Sequence, residues 1–184
     1  MRRADREVTA LPDLEDIVRS CNIVHVAFQD TEGLAVYPLN FGYEMDSASG
    51  HLTLFLHSAL EGRKTDALRE ATADPESSGL PVAFEMSTDH VLISGKTPSA
   101  WADDFRSVMG TGLASVLDDI DEARAALAGL MKQQAGMPHI EITDAQIRTA
   151  TVWKIEVDYM TGKIHKSPKA AQRARTWVPP QSHQ

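Results

Sequence analysis

The chain has 184 residues, 42% hydrophobic and 24% charged, with a formal net charge of -8, enough for one globular domain with a real core and too acidic for a general nucleic-acid binder. A single cysteine, Cys21, excludes an internal disulfide and any metal site built from several cysteines. The opening M-R-R-A-D-R-E-V lacks the apolar core of a secretion signal, and no apolar run is long enough to cross a membrane, so a reducing cytoplasm is the expected compartment.

Residues 1–10 read as an extended arm. After Pro12, Asp13 can cap a short helix with Leu14, Ile17, Val18 and Cys21 on one face, which makes Cys21 a small core residue rather than a nucleophile. Ile23–Phe28 is a strand rich in β-branched and aromatic residues, and Asp30–Gly33 is a turn. A longer strand runs from Leu34 to about Glu44, with Pro38 marking an edge or a bulge because it lacks a ladder N–H. Asp46–Gly50 turns the chain into the strand Leu52–Leu56 and then a helix, followed by a loop over 74–79. Two strands, Pro81–Met86 and His90–Ser94, are expected around a turn at Ser87–Asp89, and Phe105–Ala114 is a further strand loosened by glycines. Asp118–Met131 is a helix with Ile120, Ala123, Leu127, Leu130 and Met131 on one face, and Val152–Val157 alternates as a closing strand. Six or seven short strands against three helices, without βαβ alternation, predict a mainly β fold: an antiparallel β-barrel with helices at its ends. The domain is expected to span 1–165. The basic segment 166–184, with Lys166, Lys169, Arg173 and Arg175, is a solvated tail or a contact for RNA or lipid.

Two stretches carry chemistry. In H-S-A-L-E-G-R-K (His57–Lys64) a strand opens into a helix, and Ser58 with Glu61 matches a capping box. The first turn of a helix carries partial positive charge, so Arg63 and Lys64 there repel it and each other, a strain that a bound anion such as phosphate relieves. An ordinary solvated basic pair fits those eight residues equally well. In Y-P-L-N-F-G-Y-E (Tyr37–Glu44), Pro38 frees an edge, Asn40 offers donor and acceptor, and Gly42 removes a side chain where something flat could approach. A planar, polar-edged ring such as a flavin needs that mixture; a kinked edge strand needs nothing more.

M-R-R-x-D-R-E-V, P-L-N-F-G-Y-E, H-S-A-x-E-G-R-K, R-S-V-M-G and T-G-K-I-H (Thr161–His165) stand in one order over residues 1–165. Together they resemble the FMN-binding split-barrel flavoproteins related to pyridoxamine 5′-phosphate oxidase, in particular the nitroimidazole-resistance reductases. The resemblance implies an FMN-binding antiparallel split barrel that dimerises with FMN between two subunits and passes electrons to a small acceptor such as a nitro-aromatic. It implies Arg63 and Lys64 on the FMN phosphate, His57 and Ser58 beside the phosphate and ribityl chain, and Pro38, Leu39, Asn40 and Phe41 along the ring edge. It sets His90 near the ring and aligns Ser107 with a serine of the oxidases. His57 is either a proton donor on the substrate side or a structural partner of the phosphate.

The departures are equally specific. The oxidases grip their substrate's phosphate with a Tyr and an Arg, and the matching positions here hold Ser99 and Asp103. An acid disfavours a phosphate there, so true pyridoxamine 5′-phosphate oxidase activity is not expected. The loop Pro75–Pro81 is longer than the resemblance would have it. The remaining histidines show no paired ligand spacing, so no metal is expected. Two other readings stay open: a flavin- or haem-binding carrier or sensor without turnover, and a colourless interaction module working through its basic tail.

Overall fold

A computed structural model describes residues 3–73, 77–137 and 139–166; the tail from 167 onward, with Lys169, Arg173 and Arg175, and residues 74–76 of the expected 74–79 loop lie outside them. The strands are β1 (Glu7–Val8), β2 (Val24–Asp30), β3 (Gly33–Leu39), β4 (Gly42–Met45), β5 (Leu52–Ser58), β6 (Leu80–Ile93), β7 (Ala102–Val116) and β8 (Thr151–His165). The helices are α1 (Leu11–Ser20), α2 (Arg63–Ala73), α3 (Ile120–Ala135) and the single turn α4 (Asp144–Ile147). All strand pairs are antiparallel, in the order β3-β2-β6-β7-β8-β5-β4, with β1 beside the far half of β8. The two ends of that order are consecutive in the chain, joined only by Asn40 and Phe41. The sheet must therefore curl until its edges meet, which makes a barrel with a split between β3 and β4.

The expected mainly β, antiparallel split-barrel class is the observed one. Alternation explains it: in β5 every second residue from Leu52 is buried, and in β6 Leu80, Val82, Phe84 and Met86 point inward. These meet Ile17 and Val18 of α1, Val24 and Val26 of β2, Val108 of β7 and Trp153 and Ile155 of β8 in one core. Cys21 is buried there as expected, and burial pushes its thiol up to about 11. A smaller cluster of Ala123, Ala126, Ile147 and Val152 seats α3 against the outside of β8.

Several boundaries differ from expectation. The strand expected over 34–44 is two strands on opposite sheet edges; Pro38 does lie on an edge, since among the described strands β3 pairs only with β2. No turn separates 81–86 from 90–94. They form one long β6, bulged between Thr88 and Val91, where Asp89 adopts φ 58°. The glycine-loosened stretch is the 15-residue β7. A Cβ on Gly110 would lie 2.2 Å from the Tyr159 carbonyl oxygen, so β8 itself requires the glycine. The closing strand reaches His165, and the arm docks on it through Glu7 and Val8. Asp13 does not cap α1; it lies inside the first turn after Pro12. The turn α4, with Thr143 and Gln146 in a complete capping box, was not anticipated.

Candidate functional site

The corner between β5 and α2 is built tightly. Ser58 ends the strand, buried, and its Oγ accepts a 2.9 Å hydrogen bond from Trp153 Nε1. Ser58 therefore does not cap the helix: α2 begins five residues later, and the capping box with Glu61 does not form. Side-chain alternation carried the strand on to Ser58, and the indole took the hydroxyl. The chain turns through Gly62 at φ 120°, a conformation that favours glycine. Buried Thr65 then latches the turn by donating from Oγ1 to the Ala59 carbonyl at 2.9 Å.

Arg63 and Lys64 open the helix as expected, but their surroundings differ. The Arg63 guanidinium donates to both carboxylate oxygens of Asp30, at 2.8 and 2.7 Å, and to the Gly33 carbonyl at 2.8 Å. That bidentate pair ties α2 to the β2–β3 turn and holds the Asp30 carboxyl below its ordinary range. Lys64 has no carboxylate within ion-pair distance among the described residues. Its Nζ stands 5.0 Å from the ring centre of Tyr37 and 6.0 Å from that of Trp153. Tyr37 in turn stacks on Phe28 at 5.8 Å. Burial pushes the Lys64 ammonium below the usual lysine range. Ring faces attract a cation by about 0.5–2 kcal/mol, but they do not neutralise it. A partly buried ammonium on an aromatic bed, without an anion, is the chemistry of a phosphate or carboxylate site. His57, exposed on the outer face of β5 opposite Val152, has no side-chain partner among the described residues.

The 38–41 stretch is explained mainly by packing. Phe41 is fully buried, so its side chain meets the core rather than a ring. Asn40 Nδ2 donates to the Asn22 carbonyl and to Gln134 Oε1, and Gln134 Nε2 donates to the Phe41 carbonyl. The space freed by Gly42 is filled: a Cβ there would lie 2.4 Å from the Leu130 backbone nitrogen of α3, so the open approach expected at that glycine does not exist. Pro38 and Leu39 lie exposed and half-buried on the free edge.

His90 and Ser107 lie elsewhere. Ser107 sits opposite Lys163, ten residues along β8 from Trp153, on the order of 33 Å of extended strand. There His90 Nδ1 meets Asp103 Oδ2 at 2.7 Å, Phe105 lies between the rings of His90 and His165, and His165 Nδ1 donates to the Asp103 carbonyl. Within one barrel the expected site residues thus fall into two groups at opposite ends. Tyr37, Trp153 and Asp30 were missed: each acts through a partner more than twenty residues away, which no local pattern shows.

The outer sheet face carries a further feature. Leu34, Val36, Met109 and Tyr159 are 81%, 62%, 47% and 61% exposed. The last three border a shallow apolar groove of ≈ 440 Å³ across β2, β3, β6, β7 and β8. Among the described residues no group of histidine, cysteine or carboxylate side chains could hold a metal, and no helix is long and apolar enough to cross a membrane.

The model of the family described as pyridoxamine 5′-phosphate oxidase matches residues 12–164. Among solved structures, a candidate 5-nitroimidazole antibiotic resistance protein from Bacteroides thetaiotaomicron is similar at 30% identity and a TM-score of 0.67, over 86% of each chain. A flavocytochrome from Azotobacter vinelandii shares the fold at 17% identity and a TM-score of 0.71, over 91% of this chain and 73% of that one. So does an FAD- and haem-binding protein from Mycobacterium smegmatis, also at 17% and 0.71, over 88% and 74%. Among curated proteins none matches.

Proposed function

The chain belongs to the pyridoxamine 5′-phosphate oxidase family, and on that premise we propose that it is an FMN-dependent oxidoreductase that passes electrons to a small acceptor such as a nitro-aromatic compound. The observation that carries the reading is Lys64, a partly buried cation over Tyr37 and Trp153 with no counter-ion among the described residues. The fit to FMN is chemical: its phosphate supplies the missing charge, and its ring is flat enough for the free edge at Pro38 and Leu39. The similarity to the Bacteroides protein supports the acceptor class.

FMN, when bound, supplies the electron transfer. The chain's own residues bind and orient. Lys64 neutralises the phosphate. Ser58 accepts from the Trp153 indole, which leaves its own hydroxyl proton to donate to a phosphate oxygen. Arg63 keeps Asp30 and Gly33 in place, so the corner stays formed while Lys64 waits for its anion. His57, exposed beside the corner, holds a proton at its imidazole for delivery to the acceptor.

The working unit in this reading is a homodimer. Its support is the apolar outer face at Val36, Met109 and Tyr159, too apolar to be left to water. A second copy is also what lets far-end residues such as His90 and Ser107 approach a flavin seated at Lys64. The flavin domain spans 1–165, with 166–184 as an appendage, and the whole works in the cytoplasm.

An absorption spectrum of the purified protein before and after dithionite tests the reading. A flavin double band that bleaches on reduction is expected. A protein that stays colourless after FMN is added, or one with a single Soret band, contradicts it.

A further inference from the structure

Beside the Lys64 corner, a second cavity of ≈ 560 Å³ opens between α2, the β7–α3 turn, α4 and the start of β8. Apolar groups such as Val116, Ile120, Ile147 and Val152 line it, and so do two arginines, Arg69 and Arg148. These two stand apart from the other described arginines. Arg3, Arg6, Arg19, Arg63, Arg106 and Arg124 each lie within ion-pair distance of a carboxylate; Arg69 and Arg148, both exposed, have none among the described residues. Arg69 Nη2 instead donates, at 3.3 Å, to the hydroxyl of Thr151, a buried residue of the cavity wall. That contact turns the guanidinium toward the cavity. Asp118 also lines the cavity and pairs with neither arginine.

We propose that this cleft is a binding site for a small organic anion, an oxyanion carried on an apolar body, held by the guanidinium forks of Arg69 and Arg148. A guanidinium presents paired N–H groups that match carboxylate or phosphate oxygens, and an apolar wall opposite it selects a ring or acyl body over an inorganic ion. The size suits a one- or two-ring molecule. The site is separate from the flavin phosphate proposed at Lys64, although both borrow the same stretch of β8.

The test is calorimetric titration of the full-length protein, saturated with FMN where it retains it, using benzoate, phenyl phosphate and neutral benzamide as probes. One or both anions bind saturably, benzamide at least about tenfold more weakly, and Arg148→Gln and Arg69→Gln each weaken the anion by about tenfold or more. Arg19→Gln, an exposed arginine paired with Asp16, leaves the affinity unchanged, and melting curves show whether each variant is folded. Whichever of benzoate and phenyl phosphate binds more tightly assigns the carboxylate or the phosphate class. No saturable binding of either anion, equal binding of benzamide, or an affinity untouched in folded Arg148→Gln overturns the proposal. So does competition between phenyl phosphate and FMN, which would return both arginines to the flavin site. Failure of the flavin reading shows separately, as a colourless protein whose cleft still binds the anions.

Discussion

The two ends of β8 treat positive charge differently. At the end near His165 most basic side chains face an acid: His90 faces Asp103, His165 lies 3.6 Å from Asp104, and Arg106 holds both Asp16 and Asp89; Lys163 is an exception, its Nζ 5.1 Å from the Phe105 ring centre. At the end near Thr151, Lys64, Arg69 and Arg148 have no such acid among the described residues. Arg69 and Arg148 are exposed and solvated, so leaving them unpaired costs little; Lys64 is partly buried, and its desolvation is a cost that a bound anion would offset. In the proposed reading the paired end works as scaffold and the bare end as recognition surface. Arg63 shows the same division within one dipeptide, clamped to Asp30 while its neighbour Lys64 is left open.

The contrast can be broken from either side. Arg106→Met strips Asp89 and the Ser20 hydroxyl of their donor and leaves Asp16 with Arg19 alone, and should cost about 1–3 kcal/mol in denaturant unfolding while lowering FMN affinity less than Lys64→Met does. A loss of FMN affinity of the same size would erase the distinction between scaffold and recognition. Ser58→Ala leaves the buried Trp153 N–H without an acceptor. It should cost about 1–2 kcal/mol of stability and also weaken FMN, since Ser58 serves both ends of the account.

Asp30→Asn loosens the clamp and should lower the melting temperature more than it lowers FMN affinity. The effect carries a pH signature. Because Arg63 depresses the folded carboxyl, the stability it contributes is complete above the ordinary range near 4 and is lost as pH falls through the lower folded value. Wild type should therefore show a loss of stability below about pH 4 that Asp30→Asn lacks. Lys64 has the opposite sign and the smallest effect on folding. Its depressed ammonium destabilises the flavin-free protein below the folded value, and the penalty fades as pH rises toward the ordinary lysine value. Lys64→Met should leave the flavin-free protein as stable as wild type or slightly more so at neutral pH; a marked drop would mean the lysine is scaffold after all.

Much of this architecture could be read in the sequence, because alternation along β5, β6 and β8 is a local property. Its failures share one cause. Ser58-Ala59-Leu60-Glu61 matches a capping box, yet a tryptophan 95 positions away claims the serine. Ser87-Thr88-Asp89 looks like a hairpin turn, but neighbouring strands keep it in register and Asp89 absorbs the bulge. Gly42 looks like room for a ring, and the backbone of α3 fills it. The basic pair at 63–64 was legible as a pair; which member was free depended on Asp30, 33 residues earlier. The cleft of Arg69 and Arg148 left no trace in sequence, since two arginines so far apart share no pattern until the fold brings them to one cavity.

The most direct test of the account compares the affinities of FMN and riboflavin for wild type and for Lys64→Met, followed by flavin fluorescence. The two ligands differ only in the phosphate, so their ratio isolates the contact assigned to Lys64. The account predicts that wild type prefers FMN by about 10- to 100-fold, the worth of one charge-assisted phosphate contact, and that Lys64→Met loses most of that preference while still binding riboflavin. An undiminished preference for FMN in folded Lys64→Met would contradict it, and the phosphate would have to be sought on other cations.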